Sequence, residues 1–360
     1  MTARRMTADS PTPIPRALEG ERPVGHDGSR ASVRSLSVLI STHNRIDLLM
    51  RALRYLNEAQ RPPQWTIDVL VVANACSDGT HAFLESRASG DCASKSVSGL
   101  PSLPLRWIAE PEIGKSHALN RAIPEIASEL VAFVDDDHRV DSSYLQAVCE
   151  AATAYPDAEI LCGRILPDWD GSEPDWVHDM DMYRIYPLPV PRYDLGDAPM
   201  ASPEDTAIPG GGNLIVRTHL FQHVGGFSTD FGPKGHNLAG GEDQEWVRRA
   251  LALGARAHYV PQIVQYHYVD PDRLKLAYLV RKAYERSASV ARMSDAPLRS
   301  SFVPRFLFRK VVQHSLLAAT SLSQRRRRFH LVRTAASLGE IKGHLQGRAD
   351  LKSRLKRPQP

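Results

Sequence analysis

The chain has 360 residues, 42% of them apolar and 24% charged, the balance of a globular protein with one large or two modest domains. No uncharged apolar run reaches the roughly 18 residues that a membrane-spanning helix needs. The formal net charge of +4 is unevenly spread: residues 301–360 hold 14 Lys or Arg against Glu340 and Asp350, which leaves the remainder acidic. Such a tail suits an acidic partner, nucleic acid or an anionic membrane surface, and it equally describes a solvated helical face.

Residues 1–34 are rich in Pro, Gly and charge without apolar periodicity, and read as a disordered arm lacking the apolar stretch of a secretory signal. From there short apolar runs alternate with helix-period segments. "LSVLIS" (36–41) is strand-like and leads through "THNR" into "IDLLMRALRYLNEA", where Leu48, Leu49, Ala52, Leu53 and Leu56 share one face. "IDVLVV" (67–72) is a second buried strand, followed by the turn-rich "ANACSDGT" and a short helix from His81. After a polar Ser/Gly loop over 86–103 come the strand "LRWIA", the helix "KSHALNRAIPEIA", and the strand "LVAFV". The last opens onto Asp135, Asp136 and Asp137. "SSYLQAVCEAATAY" is the next helix and "AEILCG" the next strand. Buried strands alternating with helices predict an α/β fold, a mostly parallel sheet covered on both faces. Cys76, Cys92, Cys149 and Cys162 are scattered without metal spacing, as expected of reduced cytosolic thiols.

In such sheets ligands bind beyond the carboxyl ends of the strands. "THNR", "ANACSDGT" and "DDDHR" each follow a strand, so all three fall on one edge. Random surface turns would divide between two edges, and three adjacent carboxylates repel one another unless something cationic is near. A phosphate loop is excluded: "GKS" (114–116) needs a glycine five residues before Gly114, and Ala109 stands there. "GGGN" (210–213) precedes a strand-like run instead of opening a helix, so it is not a dinucleotide turn. Lys115 opens a helix, where a cation opposes the macrodipole unless an anion is close. A lysine directed into water fits the same residues.

The segments "SVLISTHNR", "VLVVANACSDGT", "GKSHALNRAI", "VAFVDDDHRVDSSYL" and "GGEDQEWVRRALALG" occur in an order and spacing that resembles family 2 glycosyltransferases, over about residues 36–270. The resemblance implies a GT-A fold in 35–270, with a nucleotide-sugar half (35–165) and an acceptor half (166–270), followed by a helical basic extension over 271–360. It implies a nucleotide-sugar donor and Mg2+ or Mn2+. The triple Asp would be the family's DxD motif: Asp135 and Asp137 matter most, one reaching the ribose or a metal-bound water and the last binding the cation, with Asp136 beside them. Thr42, Asn44, Arg45, Asn74 and Asp78 fall where the family binds the nucleoside, and Lys115 would face the donor's phosphates. Ala73 stands where the family usually reads uracil with an acid, which weakens the inference of a UDP-sugar: UDP remains the favoured donor, with GDP- and dTDP-sugars open.

The resemblance also implies that the Asp of "GGEDQEW" deprotonates the acceptor hydroxyl, giving inversion. Trp246, Val247, Ala250 and Leu251 form an apolar stripe, which puts Glu242 and Asp243 at a helix N-terminus that favours ionised carboxylates. An ionised carboxylate is a competent base, although an acidic cap reads the same way. His267 lies near where some relatives supply another metal ligand, or is a packed strand residue. The aromatic, acidic segment 167–189 is either an acceptor-binding loop or a lid with a small core of its own. Residues 301–360 read as two helices joined near "SQRRRR", suited to an anionic membrane surface or to packing back on the domain. The expected protein is a cytoplasmic enzyme, with a peripheral place at the inner face of the plasma membrane as an option, acting on a carbohydrate or lipid-linked acceptor; nucleic acid is not the expected partner. A nucleotidyltransferase of similar fold, or an inactive basic-tailed binding protein, are the alternatives.

Overall fold

A computed structural model describes residues 34–89, 101–201, 211–229, 241–293 and 303–355. The expected arm before Arg34, most of the Ser/Gly loop and Cys92 lie outside the described residues. Strands β1 (Arg34–Thr42), β2 (Trp65–Asn74), β3 (Leu105–Glu110) and β4 (Leu130–Phe133) run parallel in the order β3-β2-β1-β4. The same sheet continues through β8 (Leu214–Arg217), β6 (Ile160–Asp168), β9 (Ala257–Tyr268) and β5 (His138–Val140), with β7 (Met200–Ala201) also paired to β9. β8 is antiparallel to both β4 and β6, while β6 and β9 run parallel. The three-residue β5 has no sequence signal of its own; it is held by antiparallel pairing to the end of β9.

One face is covered by α1 (Ile46–Glu58), α2 (Thr80–Ala88) and α4 (Tyr144–Ala154), the other by α3 (Lys115–Ala122), α5 (Leu220–Val224) and α6 (Glu242–Ala252). Val38, Ile40, Val69 and Val71 enter the first core; Leu39, Leu70 and Val72 enter the second. Because both faces are buried, these strands read as continuous apolar runs. Helix α3 ends at Ala122, earlier than its apolar period suggests. Pro124 follows within a short 3-10 turn, and a proline without an N–H cannot continue the α-helical ladder.

The extension forms α7 (Leu276–Met293), α8 (Arg305–Thr320) and α9 (Gln324–Leu355). Gly339 and Gly343 let α9 approach α7 closely: a Cβ there would lie 2.1 Å from the Tyr284 carbonyl oxygen and 2.3 Å from that of Ala288. The arginine run at the start of α9 engages the acidic 175–186 segment. Arg325 pairs with Asp179 at 2.7 Å and Asp181 at 2.8 Å, while Arg326 and Arg328 lie over Tyr183 and Trp176. Of the two expectations for residues 301–360, packing back fits α9, whose first turns meet the 175–186 segment. On α8, Phe306, Phe308, Val312 and Leu316 stay exposed. The 167–189 segment has a small core of its own, Val177 with Trp169, Trp176 and Leu188 against Val269 and Leu274.

Candidate active site

β4 stops at Phe133, and the chain turns at Asp135–Asp137, closed by a bond from the His138 N–H to the Asp135 carbonyl, before entering β5. The turn sends the three carboxylates to different partners. Asp135 Oδ1 accepts from Lys115 Nζ at 2.7 Å. Asp136, the buried member, accepts from Thr42 Oγ1 at 2.7 Å and from Arg45 at 3.1 Å. Asp137 accepts from Arg45 at 3.2 Å and has Nε2 of His267 at 3.6 Å and of His138 at 3.9 Å. The inner carboxylate is thus tied to the end of β1, and its two neighbours face the cavity.

Burial and then the Asp137 charge push the Asp136 carboxyl up to about 6, against the pull of Arg45. Asp135 goes the other way: burial would raise it, but Lys115, and after it His138, hold it below the usual carboxylate range. Burial opposes the Lys115 charge, yet Asp135, Asp243 and Glu242 outweigh it and raise the ammonium well above its ordinary value.

Helix α6 is locked by Trp246, Val247 and Ala250, all fully buried, and by the Trp246 Nε1–H donating to the Gly225 carbonyl at 2.8 Å. Its N-terminus therefore aims at the end of β4. Glu242 and Asp243 come within 3.8 and 3.7 Å of Lys115 Nζ. The 3% exposed Glu242 side chain lies behind, and the 15% exposed Asp243 side chain is the more accessible. Lys115 accordingly joins the two carboxylate motifs, and the anion that its place at a helix start requires is supplied three times over. Five carboxylates, Asp135–Asp137, Glu242 and Asp243, share the cations Lys115 and Arg45. The excess negative charge suits a bound divalent cation.

His138 is a site residue that the sequence reading passed over. Gln265 Nε2 donates to the Phe133 carbonyl, the Tyr144 hydroxyl and Asn213 Oδ1, which leaves Gln265 Oε1 to accept from His138 Nδ1 at 2.6 Å. His138 Nδ1 then carries a proton, and Nε2 faces Asp135 and Asp137, each at 3.9 Å. His267 repeats the arrangement: Nδ1 donates to the Tyr268 carbonyl at 2.6 Å and Nε2 faces Asp137. Burial lowers the His267 pKa more than Asp137 raises it, so the neutral imidazole is favoured. One ligand atom each from Asp137, His138 and His267 lies within 4.8 Å of the others. Metal-bound imidazoles characteristically donate their other N–H in this way, so the donor set fits a divalent cation.

Gly212, in the "GGGN" run, explains why that run is needed without a phosphate turn. A Cβ there would fall 2.4 Å from the His138 ring and 2.9 Å from Asp135 Oδ2. Asn213 beside it donates to the carbonyls of Arg164 and Ile263 and so ties the loop to β6 and β9.

A second cavity wall comes from the β1 and β2 ends: Thr42, Asn44, Arg45, Asn74 and Lys115 line a space of about 340 Å³ with the Asp turn and His267. Asn44 and Ala75 both have positive φ, of 54° and 46°, in the two loops that close this space. A strained backbone of this kind in a non-glycine residue persists only where its surroundings enforce it. Asn44 Oδ1 accepts from the Ser77 and Asp78 N–H groups, which binds the loops together. Asn74 donates to the Glu110 and Glu112 carbonyls and accepts from the Gly114 N–H, so it shapes the entry to α3. Asp78 does not line the cavity; it accepts from the N–H groups of Ile46 and Thr80 at the starts of α1 and α2. The Ala73 methyl lies in the core beneath.

Residues 37–221 match the family model for glycosyl transferase family 2, and residues 130–336 that for glycosyl transferase family group 2. The chain belongs to glycosyl transferase family 2. This glycosyltransferase is built on the mixed α/β sheet described above, extended by C-terminal helices. It is 22% identical over 172 residues to the glucosyl-dolichyl phosphate glucuronosyltransferase of Haloferax volcanii. That match takes in 48% of this chain and 53% of the relative, so the chain spans about half the length of the curated relative it matches. Among solved structures it is similar to the mannosyltransferase PcManGT of Pyrobaculum calidifontis in complex with GDP-Man and Mn2+, at 17% identity, 86% coverage of both chains and a TM-score of 0.49. It is also similar to residues 1–349 of S. aureus TarS in complex with UDP, at 16% identity, 89% coverage of this chain, 92% of that chain and a TM-score of 0.47.

Proposed function

We propose that this family 2 glycosyltransferase moves a sugar from a nucleoside diphosphate sugar to an acceptor hydroxyl in one inverting displacement that requires a divalent cation. The observation that carries the reading is the Lys115 junction, which sets the carboxylates of the Asp turn against those of α6 around one buried ammonium. Thr42, Asn44, Arg45 and Asn74 would enclose the nucleoside, with Lys115 and Arg45 turned to its phosphates. Asp137, His138 and His267 would hold the cation, with Asp135 beside them. A cation held there supplies charge neutralisation for the departing diphosphate. Two imidazoles favour Mn2+ over Mg2+, which prefers oxygen ligands throughout. Asp243, the more exposed acid of the pair and 3.7 Å from Lys115 Nζ at a helix terminus that favours an ionised carboxylate, takes the acceptor's proton. Glu242 stays behind it and balances Lys115.

A donor panel scored for released nucleoside diphosphate, with Mn2+ and with EDTA, tests this reading. Release of pyrophosphate from a nucleoside triphosphate would favour the nucleotidyltransferase instead. The exposed apolar ridge of α8, flanked by Arg305 and Arg309, supports a peripheral place at the anionic inner face of a plasma membrane. Among the described residues no helix is long and apolar enough to cross one. Each cation near such a surface contributes about 1 kcal/mol. Full-length chain should therefore co-sediment with anionic vesicles at low salt, and Phe308→Ser/Val312→Ser should release it. Equal sedimentation of both proteins would remove α8 as the contact.

A further inference from the structure

A cavity of about 1090 Å³ opens off the site at Arg45, Asp137 and His267 and extends between α7, α9 and the 181–191 segment. Its charges are unbalanced. Each acid in its lining already has a cation: Asp137 has Arg45 at 3.2 Å, Asp181 has Arg325 at 2.8 Å, and Glu340 has Lys310 at 3.9 Å. Arg273, Lys282, Arg286 and Arg333 line the same space, and among the described residues none of the four has a carboxylate within ion-pairing distance. Lys282 and Arg286 stand four residues apart on α7, where like charges repel across one helical turn. With Arg184, which lies over Tyr186, five cations line one cavity without a carboxylate partner among the described residues.

Much of the rest of the lining is apolar. Leu188, Val190, Leu279, Val290, Phe329 and Val332 surround the cations, and Val290 is 62% exposed although it faces a cavity. A donor diphosphate is too small for this volume, which exceeds the roughly 300–1,000 Å³ of typical small-molecule pockets. Phosphate oxygens accept from several cations at once, and an alkyl chain would cover the apolar wall.

We propose that this cleft seats the acceptor, and that the acceptor is a phosphorylated amphiphile: a phosphate ester held by Arg273, Lys282, Arg286 and Arg333, with its apolar chain along α7 and α9. This rests on the reading of the adjoining site as a glycosyl donor site. The cleft meets that site at the Arg45, Asp137 and His267 side chains, so an acceptor anchored here would reach the donor beside the Asp turn.

Calorimetric titration of the full chain with octyl phosphate, octanol and inorganic phosphate tests the proposal. Octyl phosphate should bind at least about tenfold more tightly than either part, with an affinity that falls as salt rises. Lys282→Gln/Arg286→Gln and Arg273→Gln/Arg333→Gln should each weaken it about tenfold or more, one charge-assisted contact being worth about that much. Mn2+-dependent binding of a nucleoside diphosphate should be unchanged in both. Octyl phosphate binding no better than octanol would remove the anion site, and binding equal to inorganic phosphate would remove the chain. Weakened nucleoside diphosphate binding in the variants would assign the cations to the donor and overturn the proposal. If the variants unfold, the salt dependence in the unmodified chain decides: an octyl phosphate affinity indifferent to salt overturns it. Failure of the donor-site reading has a separate signature, no nucleoside diphosphate binding by the unmodified chain, and would remove the acceptor role as well.

Discussion

Asp243→Asn should lower sugar transfer by about 10²–10⁴-fold, the usual contribution of general-base catalysis, while nucleoside diphosphate binding barely moves. The amide keeps the size of the carboxylate but cannot take a proton from the acceptor. The substitution also leaves the fold alone, because α6 is anchored by Trp246, Val247 and Ala250 and not by its first turn. Lys115 retains Asp135 at 2.7 Å and Glu242 at 3.8 Å, so its charge stays compensated. Steady-state transfer and a calorimetric nucleotide titration on the same preparation separate the two effects. Near-unchanged transfer would make Glu242 the next candidate, with Glu242→Gln as its test.

Asp137→Ala should abolish the Mn2+-dependent part of nucleoside diphosphate binding. Loss of an outer-shell partner of a metal site commonly costs about 10–100-fold in affinity, and a direct carboxylate ligand should cost no less. Asp137 is the one carboxylate of the donor set Asp137, His138 and His267. Arg45 keeps its bond to Asp136 at 3.1 Å, which holds the end of β1 in place. Titrations with Mn2+ and with EDTA should therefore coincide in the variant and differ in the parent. A variant that still distinguishes them would place the cation elsewhere.

The sheet was readable from the sequence because β1, β2 and β4 are buried on both faces and so leave uninterrupted apolar runs. The triple Asp stood out because adjacent acids at a strand end are costly without a partner, and the Glu242–Asp243 pair because of the family resemblance, since acids at a helix N-terminus are common in themselves. His138 was not, for its role depends on Gln265, far along the chain, which fixes the proton on Nδ1. Gly212 escaped for a similar reason: the close approach it allows is to a ring and a carboxylate from another loop. In the tail, helical periodicity showed that some face would be covered without showing by what. The arginines of "SQRRRR", expected to need an outside partner or water, are occupied in part by Asp179, Asp181, Tyr183 and Trp176. The 167–189 segment could be read either as a binding loop or as a lid, since a Trp packed on Leu274 and a Trp waiting for a sugar look the same in a sequence.

The central claim is a single displacement at the Lys115 junction, and the anomeric configuration of the product tests it most directly. Proton NMR on a complete reaction, with the donor selected by the panel and Mn2+ present, reads the anomeric configuration of the product glycoside. The account predicts one equivalent of nucleoside diphosphate per transfer and a product with the configuration opposite to that of the donor. A product that retains the donor's configuration, or transfer undiminished by EDTA, would contradict it.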